Sequence, residues 1–176
     1  MSQQREFTPR KVASLKVLVI SDTHVPTIAQ RLPEKILKEA ASSDMIIHAG
    51  DLVSKRVLDQ LSSIKPVHAV RGNMDLREVA SSLPASCVVN IGRWRIGITH
   101  GHQGRGLDTP MRALSIFPMG SVDCVVFGHS YVALNEKREG VVLFNPGSPV
   151  AGRGELGNTY GVFEVGEALK PAVLRV

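Results

Sequence analysis

Polar residues that can bind a cation or carry a proton recur in this chain directly after short apolar runs. The residues in question are Asp22, His24, Asp51, Asn73, His100 and His129. Two aspartates, one asparagine and three histidines supply oxygen and nitrogen donors without a thiolate. Such a set suits Mn, Fe, Co, Ni or Zn better than calcium or a structural zinc site. The chemistry that these residues indicate is therefore that of bound divalent metal ions.

Six ligands exceed what one tetrahedral ion needs, but they suffice for two ions that share a carboxylate. Two ions about 3.5–4 Å apart hold a phosphoryl group and generate a bridging hydroxide for in-line attack. The donor set therefore predicts hydrolysis of a phosphoester. Taken singly, each residue has a structural alternative, since Asp51 can cap a helix, Asn73 can form a turn and His129 can be a buried histidine. Only the combination favours a metal site.

The elements that must position these residues alternate between strands and helices in the first half of the chain. Apolar runs at residues 17–20, 45–48 and 67–70 predict buried parallel strands, and the spacing of apolar residues predicts helices at 32–40 and 57–64. This βαβαβ order predicts a parallel sheet with right-handed crossovers. Because the carboxyl ends of parallel strands meet along one edge, we expect the polar residues to converge there.

The second half of the chain has a different pattern. The predicted elements are two strands around a glycine-containing turn within residues 87–99, a helix at 109–117 and a buried strand at 124–127. Two hairpin-like pairs are expected after these, at 132–134 with 141–144 and at 161–165 with 172–176. We therefore expect a largely antiparallel second half.

Length and composition indicate one globular domain. The 176 residues are 43% hydrophobic, which predicts a single domain over residues 16–176 that follows a flexible N-terminal extension at residues 1–15. The net charge of +5 is mildly basic but not clustered, and aromatic residues make up only 5% of the chain. This composition argues against a surface on which single-stranded nucleic acid stacks, so a role as a pure nucleic-acid binder is not expected.

The cysteines and the lack of a targeting pattern indicate an internal compartment. Cys87 and Cys124 are far apart in the sequence and each lies in or beside an apolar run, which predicts buried thiols in a reducing environment. The sequence shows no signal-peptide pattern and no apolar run long enough to span a membrane. We therefore expect a cytoplasmic protein without a membrane partner, and the sequence leaves homo-oligomerisation open.

Beyond these inferences, the chain resembles the calcineurin-like metallophosphoesterases, and in particular their small single-domain bacterial and archaeal phosphodiesterases. The motifs that carry the resemblance follow in family order from Lys16 onward: Ser21-Asp22-Thr23-His24, Gly50-Asp51, Gly72-Asn73, His100-Gly101-His102, Gly128-His129 and Asn145-Pro146-Gly147-Ser148. The resemblance implies an α/β fold of four layers, an αββα sandwich. It also implies two divalent metal ions, with manganese favoured and Ni, Zn, Fe or Co as alternatives.

The resemblance further implies a role for each residue. Asp22 and His24 would bind one metal, Asp51 would bridge, and the other metal would be bound by Asn73, His100 and His129. A hydroxide between the metals would be the nucleophile, and the expected catalytic residues are Asp22, Asp51, Asn73 and His100.

Two further residues are expected to bind substrate, namely His102 and Arg153. The alternative for His102 is orientation of its loop, and the alternative for Arg153 is a solvated surface position. The Asn145-Pro146-Gly147-Ser148 segment is predicted to form a tight turn that braces the site.

Two positions depart from the family pattern. Larger relatives have a histidine directly after the Gly-Asn pair, where this chain has Met74. The usual Gly-His-x-His motif ends here in Tyr131, and a neutral phenol, with a reference pKa of about 10, is a poor ligand near neutral pH. Three outcomes stay open for the metal at Asp22 and His24: weak binding, water in place of the missing ligand, or binding only together with substrate.

The sequence thus favours a metal-dependent phosphoesterase that acts on a small phosphoester substrate. Phosphodiesters rank ahead of phosphomonoesters, because no general acid stands ready for a poor leaving group. The alternative is a non-catalytic interaction scaffold, since the retromer subunit of eukaryotes resembles the same fold and uses its surface to bind partners. Retention of Asp51 and the histidines favours the enzyme, whereas Tyr131 favours the scaffold.

Overall fold

The computed structural model describes residues 14–176, so the extension predicted for residues 1–15 lies almost entirely outside the described residues. Over this range the chain forms ten strands and four helices. Their bounds are β1 (Leu15–Ile20), α1 (Glu34–Ser42), β2 (Met45–His48), α2 (Lys55–Ser62), β3 (Val67–Ala69), α3 (Arg77–Ser82), β4 (Ser86–Ile91), β5 (Trp94–Thr99), α4 (Thr109–Ser115), β6 (Cys124–Val126), β7 (Leu134–Arg138), β8 (Val141–Asn145), β9 (Thr159–Val165) and β10 (Leu169–Arg175). No helix in this part of the chain is long and apolar enough to cross a membrane.

The strands of residues 14–176 form two five-stranded sheets. The first sheet has the order β10-β9-β1-β2-β3, and the second has the order β4-β5-β6-β8-β7. The predicted parallel pairing of the first three strands is confirmed, with Val17 opposite Met45 and Ile46 opposite Val67. Antiparallel β9 and β10 extend the first sheet on the other side of β1.

The two sheets pack face to face, and helices cover their outer faces. Val19 of β1 and Ile98 of β5 belong to the core between the sheets. On the outer face of the first sheet, Leu18 packs in one cluster with Ile36 of α1. Alternate residues of β1 therefore point into two apolar layers, which explains why its sequence is a continuous apolar run.

The outer face of the second sheet is covered by α4, where Ala113 packs with Val125 and Leu143. Helix, sheet, sheet and helix thus follow one another, and the predicted four-layer αββα sandwich is confirmed. Each buried aliphatic side chain in these layers contributes about 1.5–3 kcal/mol.

The expectation of a largely antiparallel second half is wrong at the centre of the second sheet. There β5, β6 and β8 run parallel, with Ile96 opposite Cys124 and Cys124 opposite Val142. The reason is the connection between β5 and β6, which contains α4, since a helical crossover joins parallel strands. Antiparallel pairs remain at the two edges of this sheet, where β4 pairs with β5 and β7 pairs with β8.

Two elements differ from the sequence prediction because little of their surface is buried. The strand expected at residues 132–134 lies instead at Leu134–Arg138, a polar edge strand in which no residue of the five is fully buried. Helix α3 was not predicted, and it buries only Val79.

Of the two cysteines, which are free thiols in the described chain, Cys124 is buried as expected but Cys87 is partly exposed on edge strand β4.

Candidate metal centre

The strand ends converge at one edge of the sandwich, where both sheets contribute. Nε2 of His24, which follows β1, lies 3.8 Å from Oδ1 of Asp22 and 3.5 Å from Oδ2 of Asp51, which follows β2. Nε2 of His100, which follows β5 in the second sheet, lies 3.9 Å and 3.2 Å from the same two oxygens. Two imidazoles therefore face the same pair of carboxylate oxygens.

Asp22 is oriented so that one carboxylate oxygen is left for another partner. Its Oδ2 accepts hydrogen bonds from the Ser21 hydroxyl at 2.5 Å and from the His129 N–H at 3.0 Å. Its main-chain carbonyl accepts from the Ser148 hydroxyl at 2.8 Å. The other carboxylate oxygen, Oδ1, is buried and has no hydrogen-bond partner within residues 14–176. Because a buried oxygen of this kind is costly without a partner, Oδ1 is suited to bind a cation.

His100 is oriented in the same way. Its Nδ1 lies 2.8 Å from the Ala49 carbonyl oxygen, so Nδ1 carries the proton that it donates there. Nε2 then faces the Asp22 and Asp51 carboxylates, so a cation that binds there takes the place of a proton on this nitrogen. Metal-binding histidines are typically held by this arrangement, in which the second ring nitrogen donates to a carbonyl.

Asp51 is held by the loop that follows β3. Its Oδ1 accepts from the Met74 N–H at 2.8 Å, which leaves Oδ2 facing His24 and His100. That loop is fastened by Asp75, whose carboxylate accepts from the Gly72 N–H at 2.7 Å and the Val53 N–H at 2.6 Å. Sequence reasoning assigned Asp75 no role. The available signal was an acidic residue three positions after Gly72, a spacing at which a side chain bonds back to the main chain.

The backbone at the site adopts a conformation that non-glycine residues rarely take. Positive φ angles occur at five neighbouring residues of the site: Asp22 (55°), His24 (43°), Asp51 (57°), His129 (70°) and Tyr131 (63°). Each costs about 1–3 kcal/mol, and such residues cluster at functional sites. The sharp change of direction after each strand aims these side chains at one another.

The electrostatics of the cluster favour a cation. Burial alone would raise the pKa of Asp51, but the His100 ring and the Met74 N–H hold it below its usual range. Burial alone would lower the pKa of His100, yet the carboxylates of Asp51 and Asp22 raise it. A negative potential strong enough to reverse the effect of burial on an imidazole also attracts a divalent ion.

The remaining predicted residues surround this cluster. The rings of His102 and His129 each lie 5.3 Å from the His100 ring, and burial followed by the charge of His100 lowers the pKa of both. Both rings are therefore neutral near pH 7 and keep a lone pair for a ligand. Asn73 lies in the loop after β3 with an exposed side chain, so the structure places it at the rim rather than inside the buried cluster.

Two further residues have clear partners. The Arg153 guanidinium lies 4.6 Å from the centre of the Tyr131 ring, and the Tyr131 hydroxyl lies 2.7 Å from Nε2 of His24. Burial, with Asp22 and Asp51 after it, raises the pKa of Tyr131, so the phenol stays neutral.

His48 lies beneath the site with Nε2 3.0 Å from the Thr23 hydroxyl, and burial lowers its pKa to about 3. Asn145, the last residue of β8, braces the site, because its amide donates to the Gly128 carbonyl at 2.9 Å.

The residues present fit a divalent cation. Donor atoms of Asp22, His24 and Asp51 all lie within 4.8 Å of one another, and all three side chains are buried. Glycine next to these donors permits the close packing. A Cβ at Gly128 would lie 1.8 Å from the Ser21 hydroxyl and 2.5 Å from Oδ2 of Asp22.

Fold and site together define a class of protein: an αββα sandwich with an Asp/His/Asp metal-binding cluster at the strand ends of the first sheet, faced by His100 from the second sheet. The profile of the calcineurin-like phosphoesterase superfamily domain matches residues 15–168, and the chain belongs to this superfamily.

Individual relatives agree with this assignment. A probable metallophosphoesterase of Methanothermobacter thermautotrophicus is 38% identical over 136 residues, which cover 77% of both chains. Vps29 of Chaetomium thermophilum has a similar fold, with a TM-score of 0.76 and 24% identity over 92% of this chain and 97% of the other. Vps29 of Entamoeba histolytica, solved in complex with Zn²⁺, has a TM-score of 0.69 and 24% identity over 91% and 98%. The two Vps29 structures share the fold with this chain.

Proposed function

We propose that this chain is a metal-dependent phosphoesterase that hydrolyses phosphodiesters at a centre for two divalent cations. The observation that carries the proposal is the position of Asp51 Oδ2, 3.5 Å from Nε2 of His24 and 3.2 Å from Nε2 of His100. A carboxylate oxygen between two imidazoles is placed as a ligand shared by two cations. Membership of the phosphoesterase superfamily supports the reaction class.

The chain's own residues would hold and orient the reacting groups. One cation would be bound by Asp22, His24 and Asp51. The other would be bound by Asp51, Asn73, His100 and His129. When bound, the cations polarise the phosphoryl oxygens and activate water for in-line attack. Manganese is the favoured ion, with Ni, Zn, Fe or Co as alternatives. His102, which is half-buried beside His129, would contact a phosphoryl oxygen.

The kind of leaving group that is expected follows from the loop after β3. Met74 is 55% exposed beside Asn73, and a thioether has no proton to donate to a leaving group. A good leaving group needs no general acid, whereas a poor one does. Esters of acidic alcohols or phenols are therefore the expected substrates.

A non-catalytic interaction scaffold is the second candidate. Two observations favour it: the likeness of the fold to Vps29 and the hydroxyl of Tyr131 placed 2.7 Å from a nitrogen that would bind metal. In that case the cluster would stabilise the loops rather than perform hydrolysis.

The experiment that separates the two candidates uses protein stripped of metal and resupplied with Mn²⁺, Ni²⁺ or Zn²⁺. Hydrolysis of bis-p-nitrophenyl phosphate and of p-nitrophenyl phosphate is then followed. The proposal predicts turnover that depends on added metal and is faster with the diester. Bound metal without turnover of either compound would contradict the proposal and favour the scaffold.

A further inference from the structure

Tyr131 is held against a ligand residue of the candidate centre by several contacts. Its ring stacks on the His24 imidazole, with ring centres 5.5 Å apart and an interplanar angle of 16°. Its hydroxyl lies 2.7 Å from Nε2 of His24. The Arg153 guanidinium adds a cation–π contact, 4.6 Å from the ring centre. The main-chain N–H of Arg153 donates to the main-chain carbonyl of Tyr131 at 2.8 Å.

The contact between the hydroxyl and Nε2 removes the lone pair that a cation would need. If the proton of His24 is on Nδ1, Nε2 accepts the hydrogen bond from the phenol, and its lone pair is engaged. If the proton is on Nε2, that nitrogen donates to the phenol oxygen and has no free lone pair. In both tautomers Nε2 of His24 is closed to a metal ion.

The other half of the centre has no such contact. Nε2 of His100 is buried and lies 3.2 Å from Oδ2 of Asp51, which is itself a candidate ligand of the same cation. Its ring is already oriented by the Ala49 carbonyl at 2.8 Å. A cation at His100 therefore displaces only a proton, whereas a cation at His24 must also displace the hydroxyl of Tyr131, a residue outside the predicted ligand set.

We propose that Tyr131 is a positioning residue that makes cation binding at Asp22, His24 and Asp51 conditional on displacement of its hydroxyl from His24. The cation position beside His100 fills first, and the position beside His24 fills only when the phenol moves. Arg153 acts through Tyr131, because its guanidinium and N–H hold the phenol in place. This inference rests on the proposed two-cation centre.

The size of the effect follows from the contacts that must be broken. A hydrogen bond, an aromatic stack and a cation–π contact each shift an equilibrium by a few-fold to about tenfold. If all three contacts are lost, the second cation should bind roughly ten- to a thousandfold more weakly than the first.

The test adds Mn²⁺ to metal-stripped protein without substrate. Electron paramagnetic resonance measures the free ion, and bound Mn²⁺ is the difference between the added and the free ion. The wild type should bind one equivalent tightly and a second at least tenfold more weakly. Tyr131→Phe keeps the ring but removes the hydroxyl, and it should tighten the second equivalent by about tenfold while leaving the first unchanged. Tyr131→His should bring the two affinities within a few-fold of each other.

A matched control is available in the other tyrosine of the chain. The hydroxyl of Tyr160 makes a long bond of 3.4 Å to Glu39, and the side chain packs in the cluster beneath α1, so Tyr160→Phe should bind Mn²⁺ as the wild type does. Arg153→Ala, at an exposed position, loosens Tyr131 without altering it, and should tighten the second equivalent by two- to fivefold.

Three results would overturn the inference. Weaker second binding in Tyr131→Phe would show that the phenol is itself a ligand. Two equal affinities in the wild type would show that Tyr131 imposes no condition, while the two-cation centre would stand. No Mn²⁺ binding by the wild type or by any variant would remove the centre itself, and with it both the inference and the proposed function.

Discussion

Gly72 lies so close to Asp51 that position 72 has no space for a side chain. A Cβ there would stand 2.0 Å from Oδ1 of Asp51 and 2.5 Å from its main-chain nitrogen. Both atoms belong to the residue that would be shared by the two cations. The glycine is therefore a steric requirement of the site.

Gly72→Ala is expected to displace the Asp51 carboxylate and weaken Mn²⁺ binding by at least tenfold, because the methyl group and Oδ1 cannot both keep their positions. The measurement is a Mn²⁺ titration, with circular dichroism to confirm that the variant is folded. Gly166→Ala is the control, since a Cβ there meets only Ser14, at an ordinary 3.7 Å. Equal Mn²⁺ affinity in the two variants would show that the close approach at Gly72 does not matter.

Asp75→Ala is expected to loosen the two loops that hold Asp51, because the main-chain N–H groups of Val53 and Gly72 lose their acceptor. We expect a loss of about 1–3 kcal/mol in the free energy of unfolding and a weaker Mn²⁺ affinity. Chemical denaturation and the Mn²⁺ titration measure the two effects. Asp44→Ala removes a similar bond, to the Lys16 N–H at 2.7 Å, away from the site. If it reduces Mn²⁺ affinity as much as Asp75→Ala does, Asp75 has no specific part in the site.

His48 is expected to make the metal-free protein sensitive to acid. Burial lowers its pKa to about 3 in the folded state, against about 6.5 in the unfolded chain. Between these two pKa values the unfolded chain binds one proton more than the folded chain. The contribution of His48 to stability is therefore complete above about pH 6.5. As the pH falls below that value, the free energy of unfolding decreases by about 1.4 kcal/mol per pH unit.

Replacement of His48 by Asn should remove about one proton from the pH dependence of unfolding between pH 4 and pH 6. Urea denaturation across this range measures it. His68→Asn, at a half-buried position on the next strand, serves as the control. An unchanged slope in His48→Asn would show that His48 is not the group responsible.

Much of this structure could be predicted from the sequence because the strands that carry the site are buried on both faces. Such a strand must be apolar throughout, as Val17–Ile20 is, and the first polar residue then marks the point where the chain leaves the core. The helices α1 and α2 were predictable for a related reason, because residues such as Ile36 and Leu61 recur on the one face that packs on the sheet.

The remaining elements and contacts could not be predicted, because they either face solvent and need no apolar pattern or depend on residues far apart in the sequence. Strand β7 lies at the edge of a sheet, so its polar sequence carries no apolar pattern. Helix α3 buries only Val79 and has no repeating apolar face. The contact of Tyr131 with His24 joins residues 107 positions apart, and spacing along the chain says nothing about it. The sequence identified Tyr131 as unusual, but only the structure shows what its hydroxyl contacts.

The position of Asp51 between two imidazoles is the central claim, and Asp51→Asn tests it most directly. The amide keeps the shape of the side chain but loses the charge that two cations would share, so Mn²⁺ equivalents and turnover of bis-p-nitrophenyl phosphate are measured on the same samples. Asp59→Asn, which alters an exposed carboxylate paired with Lys55, is the control. We predict that Asp51→Asn loses both Mn²⁺ equivalents and at least a hundredfold in turnover while Asp59→Asn keeps both. Wild-type turnover in Asp51→Asn would contradict the account.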